Sequence, residues 1–234
     1  MTDEVFRVPL VFEYVATFSW AVSGALVAIR KRFDVTGVFV ITMLSSSGGG
    51  LVRDAIFLQQ TPRFLLEPFY LPLVVATTLI MVVFTRNRIQ VIREDTFRKL
   101  EDLIDALGTP AFAVIGMQMA RERGIPPLGV IFLGTVNGLG GGLLRDVVVR
   151  DVPALLRPGD FVTLMLVIAC EVFRVLAYRF GVKPTPAAWT TVAVFFLLRM
   201  AAIRFNWRTR AVHREGEPPA EPPQEDRVNQ RRSA

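Results

Sequence analysis

Laid over itself with a shift of 92 residues, this chain aligns without a gap. Gly48, Gly49, Gly50, Leu51, Arg53 and Asp54 fall on Gly140, Gly141, Gly142, Leu143, Arg145 and Asp146. Upstream, Thr17, Ala21, Gly24, Ala28 and Gly37 fall on Thr109, Ala113, Gly116, Ala120 and Gly129, and Glu13 falls on Asp105. One register held across two apolar segments marks a duplicated unit. Any fold of this chain must therefore build the same unit twice.

What that unit is follows from its apolar blocks. Seven can be read: Val11 to Ile29, Val35 to Leu58, Phe69 to Thr85, Leu103 to Ala120, Leu128 to Val149, Phe161 to Tyr178 and Ala187 to Ile203. At about 1.5 Å per residue most of them reach the roughly 30 Å of a bilayer core. A β-barrel would need strands of strict alternation, whereas VFVITML, LVVATTLIMVVF and VAVFFLL are continuous runs. With 52% hydrophobic residues and a mean hydropathy of +0.42, a disordered chain is excluded and an ordinary water-soluble domain is disfavoured. The expectation is an all-α integral membrane protein with seven transmembrane helices.

Each copy of the repeat holds three blocks, and an odd number makes the second copy enter the bilayer in the opposite direction. The expected organisation is an inverted 3+3 repeat, residues 10–90 and 100–180, with a seventh helix at 185–204. Such repeats carry substrates or ions where equivalent interrupted helices meet near the midplane. The final stretch, 205–234, is polar, rich in Pro and Glu and without apolar period, and is expected to be a disordered cytoplasmic tail. Arg204, Arg208 and Arg210 around Trp207 suit anionic headgroups, although a solvated tail explains them as well.

Orientation follows from the basic residues. Loops on the N-terminal side hold six Lys or Arg, and loops on the other side hold ten before the tail adds seven more. The positive-inside rule places the N-terminus outside and the C-terminus in the cytoplasm. The first block is expected to be a retained span rather than a secretory signal, because Asp3 and Glu4 precede it and Arg30, Lys31 and Arg32 follow it.

Three consecutive glycines inside a helix each cost about 1 kcal/mol relative to alanine. SSSGGGLVRD and NGLGGGLLRD place them in both second spans. They ease bending and expose carbonyls, tolerable in a bilayer only against protein or a water-filled cavity. Close helix packing explains them equally well. Arg53, Asp54, Arg145 and Asp146 lie near the ends of the same spans, where charge calls for a polar environment. Neighbours on a helix point about 100° apart, so each Arg is expected to reach freed carbonyls or the other copy's Asp: Arg53 with Asp146, Arg145 with Asp54. Snorkelling to the headgroups is the alternative. Glu13 and Asp105 suit pore mouths or simple interfacial placement. Glu171 and Arg174 stand three apart and can pair, while Leu79, the repeat equivalent of Glu171, carries no charge. Arg199 can snorkel towards the cytoplasm.

Enzyme chemistry has little to work with. Cys170 is the one cysteine and lies in an apolar block, and His213, the one histidine, lies in the tail. No metal site, disulfide or cofactor is expected, and neither GGG matches a phosphate-binding loop or dinucleotide fingerprint. No nucleic-acid partner is indicated.

The doubled GGGxxRD in a seven-span inverted repeat resembles the bacterial and archaeal branch of the trimeric intracellular cation (TRIC) channel family. The same sequences have been grouped as an uncharacterised membrane family or as glycine transporters. The resemblance covers residues 10 to 204. It implies a homotrimer in a prokaryotic plasma membrane, each subunit with its own hourglass pore lined by second and fifth spans kinked at Gly48 to Gly50 and Gly140 to Gly142. It implies conduction of monovalent cations, mainly potassium with sodium, and gives Arg53 and Arg145 the motif's basic position. Two arginines near the narrowest part repel a cation unless Asp54, Asp146 or carbonyl dipoles offset them. An Arg crossing part of the field would couple opening to voltage, at about 2.3 kcal/mol per charge per 100 mV. A secondary transporter of a small solute such as glycine is the alternative, since inverted repeats serve transporters too.

Overall fold

The structure, a computed structural model, describes residues 9–86, 94–156, 161–205 and 207. Among these residues every regular element is helical. Helix α1 (Leu10–Arg30) turns into α2 (Val35–Leu51), which runs on as a π-helical turn, Val52–Phe57. A single-turn α3 (Arg63–Leu66) leads to α4 (Tyr70–Arg86). Then follow α5 (Glu94–Glu122), α6 (Pro127–Val148), α7 (Val162–Arg174) with its own π-helical turn Val175–Arg179, and α8 (Pro184–Arg204).

Five of these are long and apolar enough to cross a bilayer: α1, α2 with its π turn, the Lys99–Glu122 part of α5, α6 and α8. Helix α4 adds a shorter apolar stretch, Tyr70–Thr85. Leu79, Ile80, Val83 and Phe84 project outward from it, as a lipid-facing surface requires. The chain is an all-helical, multi-pass membrane protein. The helices follow the apolar blocks closely except at α5, which begins at Glu94, well before the block that opens at Leu103. Apart from Phe205 and Trp207, the expected disordered tail lies outside the described residues.

Helix α5 is the hub. It packs against α1, α6, α7 and α8, while α2 packs against α1, α4 and α6. The larger apolar core collects Val114, Met117, Leu133, Leu166, Phe173 and Phe195 around α5. A smaller one joins the end of α1 to the start of α2 through Val27, Ile29, Val38 and Ile41.

Glycine allows α1 to approach α2 and α5 to approach α6. A Cβ on Gly24 would lie 2.6 Å from the Ser45 Cβ and 3.0 Å from the Ile41 carbonyl oxygen. A Cβ on Gly116 would lie 2.6 Å from the Asn137 Cβ and 3.0 Å from the Leu133 carbonyl oxygen, the same contacts 92 residues on. Small residues at such crossings let backbones touch.

The turns that close α1 and α5 also share that register. Phe33 N–H donates to the Ala28 carbonyl, and Ile125 N–H to the Ala120 carbonyl, each at 3.1 Å. This is the bond that a helix end makes when the preceding residue is left-handed. That residue is Gly124 (φ 71°) after α5 but Arg32 (φ 60°) after α1. A side chain pays about 1–2 kcal/mol in this conformation. Arg32→Gly is expected to stabilise the fold by about 0.5–1 kcal/mol, read as a raised unfolding midpoint in detergent; a lowered midpoint would show that the Arg32 side chain matters more than its backbone.

Candidate functional site

Helices α2 and α6 cross at the two glycine triplets. A Cβ on Gly140 would lie 2.9 Å from the Gly49 Cα, and one on Gly48 3.3 Å from the Gly141 Cα. Added to Gly49 or Gly141, a Cβ would collide with the carbonyl oxygens of Asn137 and Ser45 respectively. The first two glycines of each triplet thus form a backbone-to-backbone seam. The third faces away from it: Gly50 towards the Arg53 guanidinium, and Gly142 towards Trp20 and the Arg145 guanidinium. The helices do not break at the glycines. α-Helical structure runs through both triplets, and the only departure from it comes later, in the π turn that follows Leu51.

Both arginines are buried, and each is held by its own neighbour. Arg53 donates from Nε and Nη2 to Asp54 Oδ1 and Oδ2 at 2.7 and 2.8 Å, and from Nη1 to Asn137 Oδ1 at 3.2 Å. Asp54 also accepts from Gln60 Nε2 and the Arg63 backbone N–H, at 3.0 and 2.9 Å. Arg145 donates from Nε to Asp146 Oδ1 at 2.8 Å and from Nη1 to Ser23 Oγ at 2.5 Å. Its Nη2 lies 3.1 Å from Glu101 Oε1 and 3.8 Å from Asp105 Oδ2. Asp146 accepts a further bond from the Ala154 N–H at 3.2 Å.

The expected cross-repeat pairs, Arg53 with Asp146 and Arg145 with Asp54, are therefore not formed. The 100° argument holds for the Cα–Cβ vectors but not for the end of an arginine side chain. Its rotatable stem lets the guanidinium fold back beside its helix and meet the next residue's carboxylate. In the first copy the wider π turn carries both residues. What crosses between the copies is neutral: Arg53 reaches Asn137 of the second copy, and Arg145 reaches Ser23 of the first.

Glu13 is buried and meets Arg63 Nη1 at 3.4 Å, while Asp105 joins the Arg145 cluster. Arg199 does not snorkel: it is buried and pairs with Asp102 at 3.0 Å. The Glu171–Arg174 pair forms as its spacing suggests, Nε to Oε2 at 2.7 Å. Glu101, Ser23, Asn137 and Arg63 escaped the sequence reading. The 92-residue register places Glu101 over Pro9 and Asn137 over Ser45, so likeness between the copies could not reveal them.

Two cavities lie at opposite ends of α1 and α5, and the first of them adjoins the crossing. One of about 550 Å³ reaches Arg145 from the end of α1 and the start of α5, and five carboxylates and three arginines line it. The other, about 770 Å³, lies at the start of α1 and the end of α5, with Glu13, Glu67 and Glu122 against Arg63. Fully ionised, each carries a net charge of −2 (three minus five, and one minus three). Among the described residues no group of three or more His, Cys, Asp or Glu is arranged to hold a metal ion.

The family model described as glycine transporter matches residues 10–86 and 102–179, both copies of the repeat. The UPF0126 inner membrane protein YadS of Escherichia coli is 31% identical over 83% of this chain and 91% of its own. A UPF0126 membrane protein of Deinococcus radiodurans is 35% identical over 63% of this chain and 66% of its own length. Among solved structures, the TRIC trimeric intracellular cation channel orthologue from Rhodobacter sphaeroides superposes with a TM-score of 0.74. It is 26% identical, over 84% of this chain and 97% of that one. A glycine-seamed pair of helices bearing two neutralised arginines, and matches of this extent to membrane proteins and channels, lead to one assignment: the chain belongs to the prokaryotic TRIC channel family.

Proposed function

We propose that this chain is a monovalent-cation channel of the inner membrane, conducting potassium and also sodium, with a pore in each subunit lined by α2 and α6. The observation that carries this reading is the pair of net-acidic cavities at opposite ends of α1 and α5, one of which reaches Gly142 and Arg145 beside the glycine seam. Carboxylate-lined mouths concentrate cations, and neutralised arginines remove the barrier that bare ones would raise. Gly50 and Gly142, Arg53 with Asp54 and Arg145 with Asp146 would line the narrow part, with Glu13 and Asp105 just outside it. Seven spans are proposed. The shorter apolar helix Tyr70–Thr85 and the continuous helical stretch from Val162 to Arg179 supply the two beyond the five clear ones. The inverted 3+3 organisation is supported by contacts that recur 92 residues apart, Gly24 on Ser45 and Gly116 on Asn137 among them. A homotrimer, with the N-terminus outside, completes the proposal; it rests on the resemblance and on the loop charges.

Because each buried arginine moves with an adjacent carboxylate, displacing either helix end carries little net charge through the field. Shallow voltage dependence is expected.

The test is single-channel recording of purified full-length protein in a planar bilayer under a potassium gradient, with glycine added to one side. Unitary openings that reverse near the potassium equilibrium potential are expected, unaffected by glycine. A silent bilayer with saturable glycine uptake into liposomes would replace the channel with a transporter. Glu122→Gln and Asp102→Asn, one carboxylate from each cavity, should lower unitary conductance in dilute salt. The loss should fade as the Debye length falls from about 30 Å at 0.01 M to about 3 Å at 1 M; a loss that ignores salt would remove the electrostatic account.

A further inference from the structure

Besides the two large cavities there is a third of about 10 Å³, walled in beside Arg53. Eight of its nine lining residues fall, on the 92-residue register, on residues that line the 550 Å³ cavity. Glu13, Gly50, Arg53 and Asp54 stand over Asp105, Gly142, Arg145 and Asp146. The 770 Å³ cavity shares the register as well, through Pro9, Leu10 and Gln60 over Glu101, Asp102 and Val152, so one wall design encloses a single 550 Å³ cavity in one copy and is divided between an outer cavity and this small pocket in the other.

Two of the positions that differ bear most directly on it. Leu155 and Val162 of the open cavity correspond to Arg63 and Tyr70 of the closed one, and both replacements are larger. Tyr70 is buried and donates its hydroxyl to the Ser46 carbonyl at 3.0 Å, so it is part of the fixed wall. Arg63 is different. Its backbone N–H is anchored on Asp54, but its side chain is about one third exposed. It bridges from the 770 Å³ cavity to Glu13 at 3.4 Å, with Glu67 at 3.8 Å. Lining both cavities, it stands between them.

We infer that the Arg63 side chain is a built-in plug: a tethered cation that occupies the Glu13 carboxylate and shuts the first copy's half of the path. A mobile cation arriving from the 770 Å³ cavity competes with this guanidinium for Glu13. The second copy, with Leu155 in the same register, has no such plug. This rests on the channel reading for its purpose but not for its geometry, and the two are tested separately.

Reactivity of a cysteine behind the plug reads the geometry directly. In the full-length protein with Cys170→Ala, Ser47→Cys places a thiol on the closed cavity's wall. A small cationic thiol reagent is then added in liposomes to the side facing the 770 Å³ cavity. Arg63→Leu, which installs the second copy's residue, should speed modification about five-fold, the population shift that loss of a part-exposed ion pair allows. Glu13→Gln, which breaks the same contact at constant size, should act in the same direction if Arg63→Leu fails to fold. Equal rates in the parent and in whichever of the two variants folds would overturn the plug, whether or not the protein conducts. In bilayers Arg63→Leu should raise open probability by a similar factor. A wild-type protein that passes no cations would sink the channel reading alone, leaving the thiol rates to decide the plug.

Discussion

Arg145→Met is expected to be the most damaging single substitution in this protein, costing about 3–5 kcal/mol of stability. Methionine fills much of the arginine's volume, so the loss is not one of packing. It comes from Glu101, Asp105 and Asp146, which converge on one buried guanidinium; Glu101 keeps Arg30 at 3.1 Å, but Asp105 and Asp146 would be left as uncompensated negative charge at membrane depth. Thermal unfolding in detergent measures it, with two variants as controls. Lys31→Ala breaks the exposed Lys31–Asp151 pair and should cost less than about 1 kcal/mol. Arg145→Met combined with Glu101→Gln and Asp105→Asn should recover part of the loss. If the combined variant is no better than Arg145→Met alone, charge compensation is not what Arg145 supplies.

The second large effect is at the seam. Gly49→Ala and Gly141→Ala each push a methyl group into a carbonyl oxygen of the opposing helix, where no rotamer change gives relief. Each is expected to cost about 3 kcal/mol, the upper end for overpacking. Gly50→Ala is the contrast. The nearest atom to its Cβ is the end of a side chain, Arg53 Nη2, at 3.6 Å, and alanine gains about 1 kcal/mol over glycine in a helix. It should be neutral or stabilising. Were the triplets there only to make the helices bend, all three substitutions would stiffen them alike and none would clash. Equal midpoints across the set would favour bending, and a split between Gly49 and Gly50 would favour packing. Gly142 differs from Gly50, because its Cβ would lie 2.7 Å from the Trp20 ring.

These predictions mark where the sequence could be read. Helices, their approximate bounds and the pairing of Gly48 to Gly50 with Gly140 to Gly142 were legible, because block length and repeat register are one-dimensional signals. The role of the glycines was not, since a seam and a hinge have the same composition. Partner choice at Arg53 and Arg145 was misjudged for a physical reason: helical phase governs where a side chain starts, and a long flexible one ends elsewhere. Glu101 was hidden differently. It sits before the apolar block among residues that read as loop, and only the extension of α5 back to Glu94 brings it against Arg145. Arg63 appeared as one loop charge among several. Its importance depends on the residue that its repeat partner lacks, a comparison of shapes rather than of letters.

Pairing each arginine with the very next residue also bears on how the protein is made. Synthesis delivers the first half to the membrane long before the second exists. Had Arg53 depended on Asp146, the first three helices would have to hold a bare cation among lipid chains until α6 emerged from the ribosome. With Asp54 adjacent, the charge and its counter-charge leave the translocation machinery together. The first half reaches the membrane with Arg53 already balanced, and the bonds from Arg53 to Asn137 and from Arg145 to Ser23 wait for the halves to meet.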